Sequence, residues 1–135
     1  MKLDTGTEDL LCELRDDGVL VATLNRPETR NAFSAAMGRA LGSVYEMADT
    51  NDAVRVVVVT GTPPVFCAGA DFSHGAEVFE RTESAEFNSN PVNPPAWKIR
   101  KPVIAAINGH AIGIGLTLAL HCDMRFVARD AKYGV

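Results

Sequence analysis

The sequence predicts an α/β fold assembled from strand–strand–helix units around a parallel sheet. Three observations carry that expectation. Val54 to Thr60 (Val-Arg-Val-Val-Val-Val-Thr) is an almost continuous β-branched run, as in a strand buried on both faces of a helix-flanked parallel sheet. Ile104 to Asp123 passes from an apolar strand through a glycine-rich loop into an apolar helix. Along the chain the order reads strand, strand, helix, strand, strand, helix, strand. No repeat, low-complexity tract or domain boundary interrupts it, and residues 1–135 read as one domain. At 135 residues, 47% hydrophobic and 22% charged, the chain is long enough for one core.

Leu10 to Arg15 and Val19 to Asn25 are short Leu- and Val-rich runs joined by Asp16-Asp17-Gly18, a hairpin signal. Asn25 to Asn31 is a polar loop in which Pro27 fixes a turn. Ser34 can cap a helix whose Met37, Leu41, Val44, Tyr45 and Ala48 fall on one face. Gly42 interrupts that helix at modest cost, and it ends near Asp49 to Asp52. After the β-branched run comes a loop with Gly61 and Pro63-Pro64. Val65 to Phe72 then reads as a short strand opening into small residues, a place where backbone can approach a ligand closely.

Glu77 to Glu86 has helical spacing, but Asn88-Ser89-Asn90-Pro91 and Asn93-Pro94-Pro95 break any long helix. A brief helix is expected over Pro95 to Arg100, with Trp97 packed inward. Pro102 to Ile107 reads as a buried strand, Asn108-Gly109 as a tight turn, and a helix is expected from near Gly115. Asp123 to Ala128 reads as one more strand, and Asp130 to Val135 begins a further element.

The chemistry of the central stretch lies in its backbone. A helix starting there points unpaired N–H groups into the glycine loop, backed by the positive end of its dipole. That makes a receptor for negative charge. Pro102 to Leu120 carries no formal charge and meets the length criterion for a membrane span. Asn108, His110 and three glycines argue instead for a buried strand–loop–helix. A dinucleotide fingerprint fails because Leu116, Thr117 and Leu118 follow Gly113-Ile114-Gly115 where a third glycine is required. A phosphate loop fails for want of Gly-Lys-Ser/Thr. From this stretch alone, a tight packing turn in the core fits as well as a binding site.

The net charge of −4 and the pI near 5.3 argue against nucleic acid and anionic membrane surfaces as partners. Met1 to Gly6 lacks an apolar secretory core, and a cytoplasmic protein is expected. Cys12, Cys67 and Cys122 are scattered and odd in number, which suits reduced buried thiols and offers no metal-ligand spacing. No metal is expected.

Four segments together resemble the enoyl-CoA hydratase/isomerase (crotonase) family. They are Leu24-Asn25-Arg26-Pro27 with Asn31-Ala32; Phe66-Cys67-Ala68-Gly69-Ala70-Asp71; Lys101 to Gly109; and Cys122-Asp123 through Phe126. They keep the family's order and spacing over essentially the whole chain. The resemblance implies a crotonase-like spiral of ββα units, incomplete at the C-terminus, because the family's chains run to roughly double this length. The family's C-terminal helices help build trimers, often paired into hexamers, so a homotrimer or hexamer is expected of a full-length form.

The resemblance also implies an acyl-CoA substrate whose thioester enolate is stabilised by two backbone N–H groups, those of Ala70 and Ile114. Two such preorganised donors in a dry site contribute about 2.7–4 kcal/mol each. Arg26, Glu28, Ala68, Asp71 and Phe72 match positions that lie along the CoA moiety in the family, and Gly113 and Thr117 match positions lining the thioester pocket. No cofactor is implied beyond the CoA of the substrate.

Two departures from the family pattern stand out. Gly113-Ile114-Gly115 replaces three consecutive small residues, and the stiff Ile114 side chain is expected to narrow the pocket or shift the donor. Thr117 occupies the position of a hydratase glutamate, and a hydroxyl there does not titrate near neutral pH. The family's second glutamate would fall just beyond Val135. Efficient hydration is therefore disfavoured, and a one-base isomerisation is easier to sustain if a full-length form supplies that second glutamate. The competing readings are a non-catalytic CoA-thioester-binding protein, an inactive fragment, or another thioester reaction such as hydrolysis or dehalogenation.

Other side chains have plainer readings. His110 is expected to be structural, His74 on the surface and His121 in the core. Cys67 reads as an inert small hydrophobe. Asp71 reads as a loop-ordering side chain bonded to nearby backbone N–H groups. Glu77, Glu80, Glu83 and Glu86 read as a solvated face. By position, Phe79, Phe87 and Trp97 are expected to bear on acyl-chain length.

Overall fold

The computed structural model describes residues 1–71 and 92–135. The elements are β1 (Lys2–Leu3), β2 (Leu10–Leu14), β3 (Val19–Leu24), α1 (Ala35–Thr50), β4 (Val56–Gly61), β5 (Val103–Ile107), β6 (Ala111–Ile112), α2 (Ile114–Leu120), β7 (Met124–Val127) and β8 (Tyr133–Gly134). Six strands form one sheet in the order β1-β2-β3-β4-β5-β7. β1, β2 and β3 pair antiparallel, whereas β3, β4, β5 and β7 run parallel. A second, two-stranded parallel sheet joins β6 to β8, with Ala111 opposite Tyr133 and Ile112 opposite Gly134.

The Asp16-Asp17-Gly18 turn closes the β2–β3 hairpin. The Arg15 N–H donates to Val19 O at 2.9 Å, and the Asp17 carboxylate accepts from the Val19 N–H at 3.2 Å. A parallel β3–β4 pair needs a crossover, and α1 supplies it. Ser34 caps α1 by accepting from the Met37 N–H at 3.1 Å. The helix then buries Met37, Leu41, Val44, Tyr45 and Ala48, the stripe expected from the sequence. These meet Leu20, Ala22 and Leu24 of β3 and Val57 and Val59 of β4 in one core cluster. Each fully buried Leu, Val or Met is worth about 1.5–3 kcal/mol of transfer free energy.

The strands and helices fall where the sequence placed them, with four corrections. The β-branched run is not buried on both faces: Val57 and Val59 are, while Val56, Val58 and Thr60 are half-buried. Alternation rules because α1 covers one face only. Val65 to Asp71 is not a strand, since it makes only the isolated bridges Cys67–Ala111 and Phe33–Ala70. Gly69, at φ +117°, turns the chain between those two partners. The expected 95–100 helix is a single 3-10 turn, Ala96–Lys98, in which Ala96 faces the core and Trp97 is 58% exposed beside the Lys98 ammonium. One turn flanked by extended Pro95 and Ile99 cannot bury both. His121, at the end of α2, is half-buried rather than in the core.

β7 forms an edge of the sheet, and all four of its residues are exposed. No described helix is long and apolar enough to cross a membrane. Expectations for Phe72, His74, Phe79, Phe87 and the Glu77–Glu86 spacing fall outside the described residues.

Candidate functional site

The end of β5 draws two glycine loops together. Asn108 pairs with Gly61 through both sides of its amide: Oδ1 accepts from the Gly61 N–H at 3.1 Å and Nδ2 donates to Gly61 O at 2.9 Å. Beyond it, His110 O accepts from the Phe66 and Cys67 N–H groups at 3.1 and 3.0 Å, and the Ile112 N–H donates to Cys67 O at 3.0 Å. The 66–67 backbone is thus bound alongside 110–112. A Cβ added to Gly115 would lie 2.4 Å from Cys67 O, so only glycine allows α2 this close. Farther along, a Cβ on Gly69 would meet Ile112 O at 3.6 Å, and one on Gly113 would lie 4.0 Å from Gly69 Cα. The two loops are thus joined at Cys67 and Ile112 and leave about the space of one added carbon between Gly69 and Gly113.

Each loop carries a backbone donor with no acceptor among the described residues. In the first, the Phe33 N–H donates to Gly69 O at 2.8 Å and the Asp71 N–H donates to Phe33 O at 3.1 Å. A parallel bridge of this kind turns the Ala70 N–H to the opposite side. In the second, the chain enters α2 through Gly113, at φ +56° and ψ −121°. The first helix amide to find a carbonyl is that of Thr117, which donates to Gly113 O at 3.1 Å. The Ile114 N–H belongs to the turn before it and meets no acceptor among the described residues.

The Ile114 side chain is half-buried and packs against the core cluster. The core thus takes up part of its bulk. Ala68 and Ala70 are half-buried. The Thr117 hydroxyl turns back to its own helix, donating to Gly113 O at 3.4 Å.

The charged residues are joined by side-chain contacts that local sequence does not announce. Asp71 pairs with Arg26, Nη1 to Oδ2 at 3.0 Å. Arg26 Nη1 also donates to Ala32 O at 2.8 Å, and its side chain is only 15% exposed. Glu28 stands exposed on the 3-10 turn Pro27–Thr29. His110 has a structural task, its Nδ1 accepting from the Lys132 N–H at 2.8 Å. The Cys67 thiol is buried and donates to Gly69 O at 3.8 Å. Burial pushes its pKa up, which suits an inert thiol.

Among the described residues, the structure brings Arg26, Ala68, Ala70, Asp71, Gly113, Ile114 and Thr117 to one end of the sheet and leaves Glu28 at its margin. Sequence reasoning gave no task to Phe33 or to the buried amide of Asn31. Asn31 Nδ2 donates to Thr62 O and Val65 O at 2.8 and 3.0 Å, and Oδ1 accepts from the Arg26 N–H at 2.8 Å. Asn31 sits at φ +55°, a conformation its short polar side chain tolerates, and that preference was the available signal. No three His, Cys, Asp or Glu side chains among the described residues gather as around a metal ion. A surface groove of about 470 Å³ lies elsewhere, on the open face of β1, β2 and β3.

Residues 15–135 match the family profile described as Enoyl-CoA hydratase/isomerase. The chain belongs to that family. It is 38% identical over 125 residues to the 2,3-dehydroadipyl-CoA hydratase of Escherichia coli, covering 90% of this chain and 47% of the relative. It is 37% identical over 123 residues to the 1,2-epoxyphenylacetyl-CoA isomerase of the same organism, covering 87% and 47%. A crystal structure described as a "probable enoyl-CoA hydratase/isomerase" from Mycobacterium abscessus superposes with a TM-score of 0.82 at 52% identity, over 92% of this chain and 47% of that one. The fold is the crotonase fold of such hydratases, and the chain spans about half the length of the curated relatives it matches.

Proposed function

We propose that this chain binds an acyl-CoA thioester and that the Ala70 and Ile114 N–H groups donate to its carbonyl oxygen, stabilising the enolate. The observation that carries the reading is the pair of backbone donors, without acceptors among the described residues, on two loops bound side by side. Negative charge builds on a thioester oxygen when the α-proton leaves or a nucleophile adds at the β-carbon. Donors already oriented need no rearrangement at that moment. Hydratases and isomerases alike stand among the relatives at almost equal identity, which supports the shared oxyanion step over any one reaction. In the full-length protein we assign an isomerase-type proton transfer, with the base supplied by the family's second glutamate, and assembly as a trimer or hexamer.

A second reading, binding without catalysis, is favoured by Thr117. Its hydroxyl is turned onto Gly113 O at the position of a hydratase glutamate, so it offers no titrating group. Proton exchange at the α-carbon of short and medium enoyl-CoAs in deuterated buffer separates the two, using this chain and the longest natural form. Exchange in the longer form alone assigns the base to residues outside 1–135. Binding with exchange in neither makes this a thioester-binding protein.

A further inference from the structure

Arg26 matches a position that lies along CoA in the family, yet its guanidinium is committed within the protein. Nη1 lies 3.0 Å from Asp71 Oδ2 and donates to Ala32 O at 2.8 Å; Nε lies 3.8 Å from Asp9 Oδ2. The Asp9 carboxylate is held in turn by the Ser34 hydroxyl at 2.6 Å, and the Arg26 N–H donates to Asn31 Oδ1 at 2.8 Å. Turning Nη1 toward a phosphate would withdraw it from Asp71, whose side chain is only 10% exposed.

Those contacts converge on the first oxyanion loop. Residues 68–71 are zipped to 30–33 by three backbone bonds: Ala68 N–H to Arg30 O, Phe33 N–H to Gly69 O and Asp71 N–H to Phe33 O. The Ala70 N–H shares a planar peptide unit with the Gly69 carbonyl, which accepts from the Phe33 N–H at 2.8 Å on one side. On its other side the next residue is Asp71, so the two anchors together hold the plane against the conformational freedom of Gly69. Arg26 grips both segments at once, through Ala32 O and the Asp71 carboxylate.

We propose that Arg26 is a positioning residue: through Asp71 and Ala32 it sets the orientation of the Ala70 N–H, and it does not hold CoA. This rests on the reading of Ala70 as an oxyanion donor. A lysine would not replace it, because a single ammonium nitrogen cannot hold Asp71 and Ala32 O as Nη1 does while a second nitrogen, Nε, faces Asp9.

The test uses acetoacetyl-CoA, whose α-proton ionises without an enzymic base and whose enolate has its own ultraviolet band. Titrating that band in complex with this chain gives the enolate's ionisation constant; calorimetry with free CoA gives cofactor affinity. Arg26→Met, Arg26→Lys and Asp71→Asn are each expected to lose about tenfold to a hundredfold of the enhancement seen with the wild-type chain. Free CoA should bind each of them as before. Weakened CoA binding with an unchanged ionisation constant would make Arg26 a CoA ligand and overturn the proposal. Should Arg26→Met fail to fold, the near-isosteric Asp71→Asn decides alone, and a wild-type constant in it is equally fatal. No enhancement in the wild-type chain would instead defeat the underlying oxyanion reading, and the proposal with it.

Discussion

Gly115→Ala probes the contact that brings the two donor loops together. The added Cβ would lie 2.4 Å from Cys67 O and 2.8 Å from Cys67 Cβ, whereas ordinary contact begins at 3.4 Å. The shortfall against the carbonyl is 3.4 − 2.4 = 1.0 Å. That oxygen cannot swing aside freely, because it accepts the Ile112 N–H at 3.0 Å. The start of α2 must therefore move off the 66–70 loop, carrying the Ile114 amide with it. Overpacking of this kind costs about 1–3 kcal/mol of stability, and misplacing a reacting group by about 1 Å costs about a hundredfold. Urea unfolding reads the first effect and the enolate band of bound acetoacetyl-CoA reads the second. Leu41→Ala is the control, since it empties a fully buried site beneath α1 at about 2–5 kcal/mol without touching either loop. A folded Gly115→Ala protein with the wild-type enolate fraction would refute the reasoning. So would a Leu41→Ala protein that loses as much.

Ser34→Ala removes the cap of α1 and a partner of Asp9, so unfolding by urea should show a loss of about 1 kcal/mol. Thr117→Val should leave stability within about 1 kcal/mol, because the hydroxyl makes only a 3.4 Å bond to its own helix. Thr117→Glu should raise α-proton exchange in the longest natural form, measured by deuterium incorporation. Burial pushes the Cys12 and Cys122 thiols up from 9.0 to about 11 and about 12. The unfolded chain therefore releases these protons first as pH rises. Stability should be full below the ordinary thiol range and decline through pH 9.0 toward 11 and 12, with thiol-specific reagents slow until the chain unfolds.

The sequence was most legible where one element repeats its own signal. The stripe from Met37 to Ala48 and the Ser34 cap mark α1 because helical period and capping chemistry act within a few residues. β1, β6 and β8 hold two residues each, too few for any period to register. Trp97 misled because hydrophobicity does not say which residue of a single 3-10 turn faces inward, and the smaller Ala96 does. In the site, glycines marked two loops open to close approach, whereas the family resemblance singled out Ala70 and Ile114 within them. The Arg26–Asp71 pair joins residues 45 apart through side-chain reach, which local pattern does not encode. The room that lets Ile114 sit beside the donor loop belongs to the core behind it, equally invisible in the one-dimensional text.

The central claim is that two particular amides hold the thioester oxygen, and amide NMR reads it residue by residue. The measurement is a ¹⁵N–¹H titration of this chain with acetoacetyl-CoA beside one with free CoA. The Ala70 and Ile114 amide protons should move downfield with acetoacetyl-CoA and stay put with free CoA, which lacks the acyl oxygen. Binding of acetoacetyl-CoA with both of these amides unmoved would contradict it.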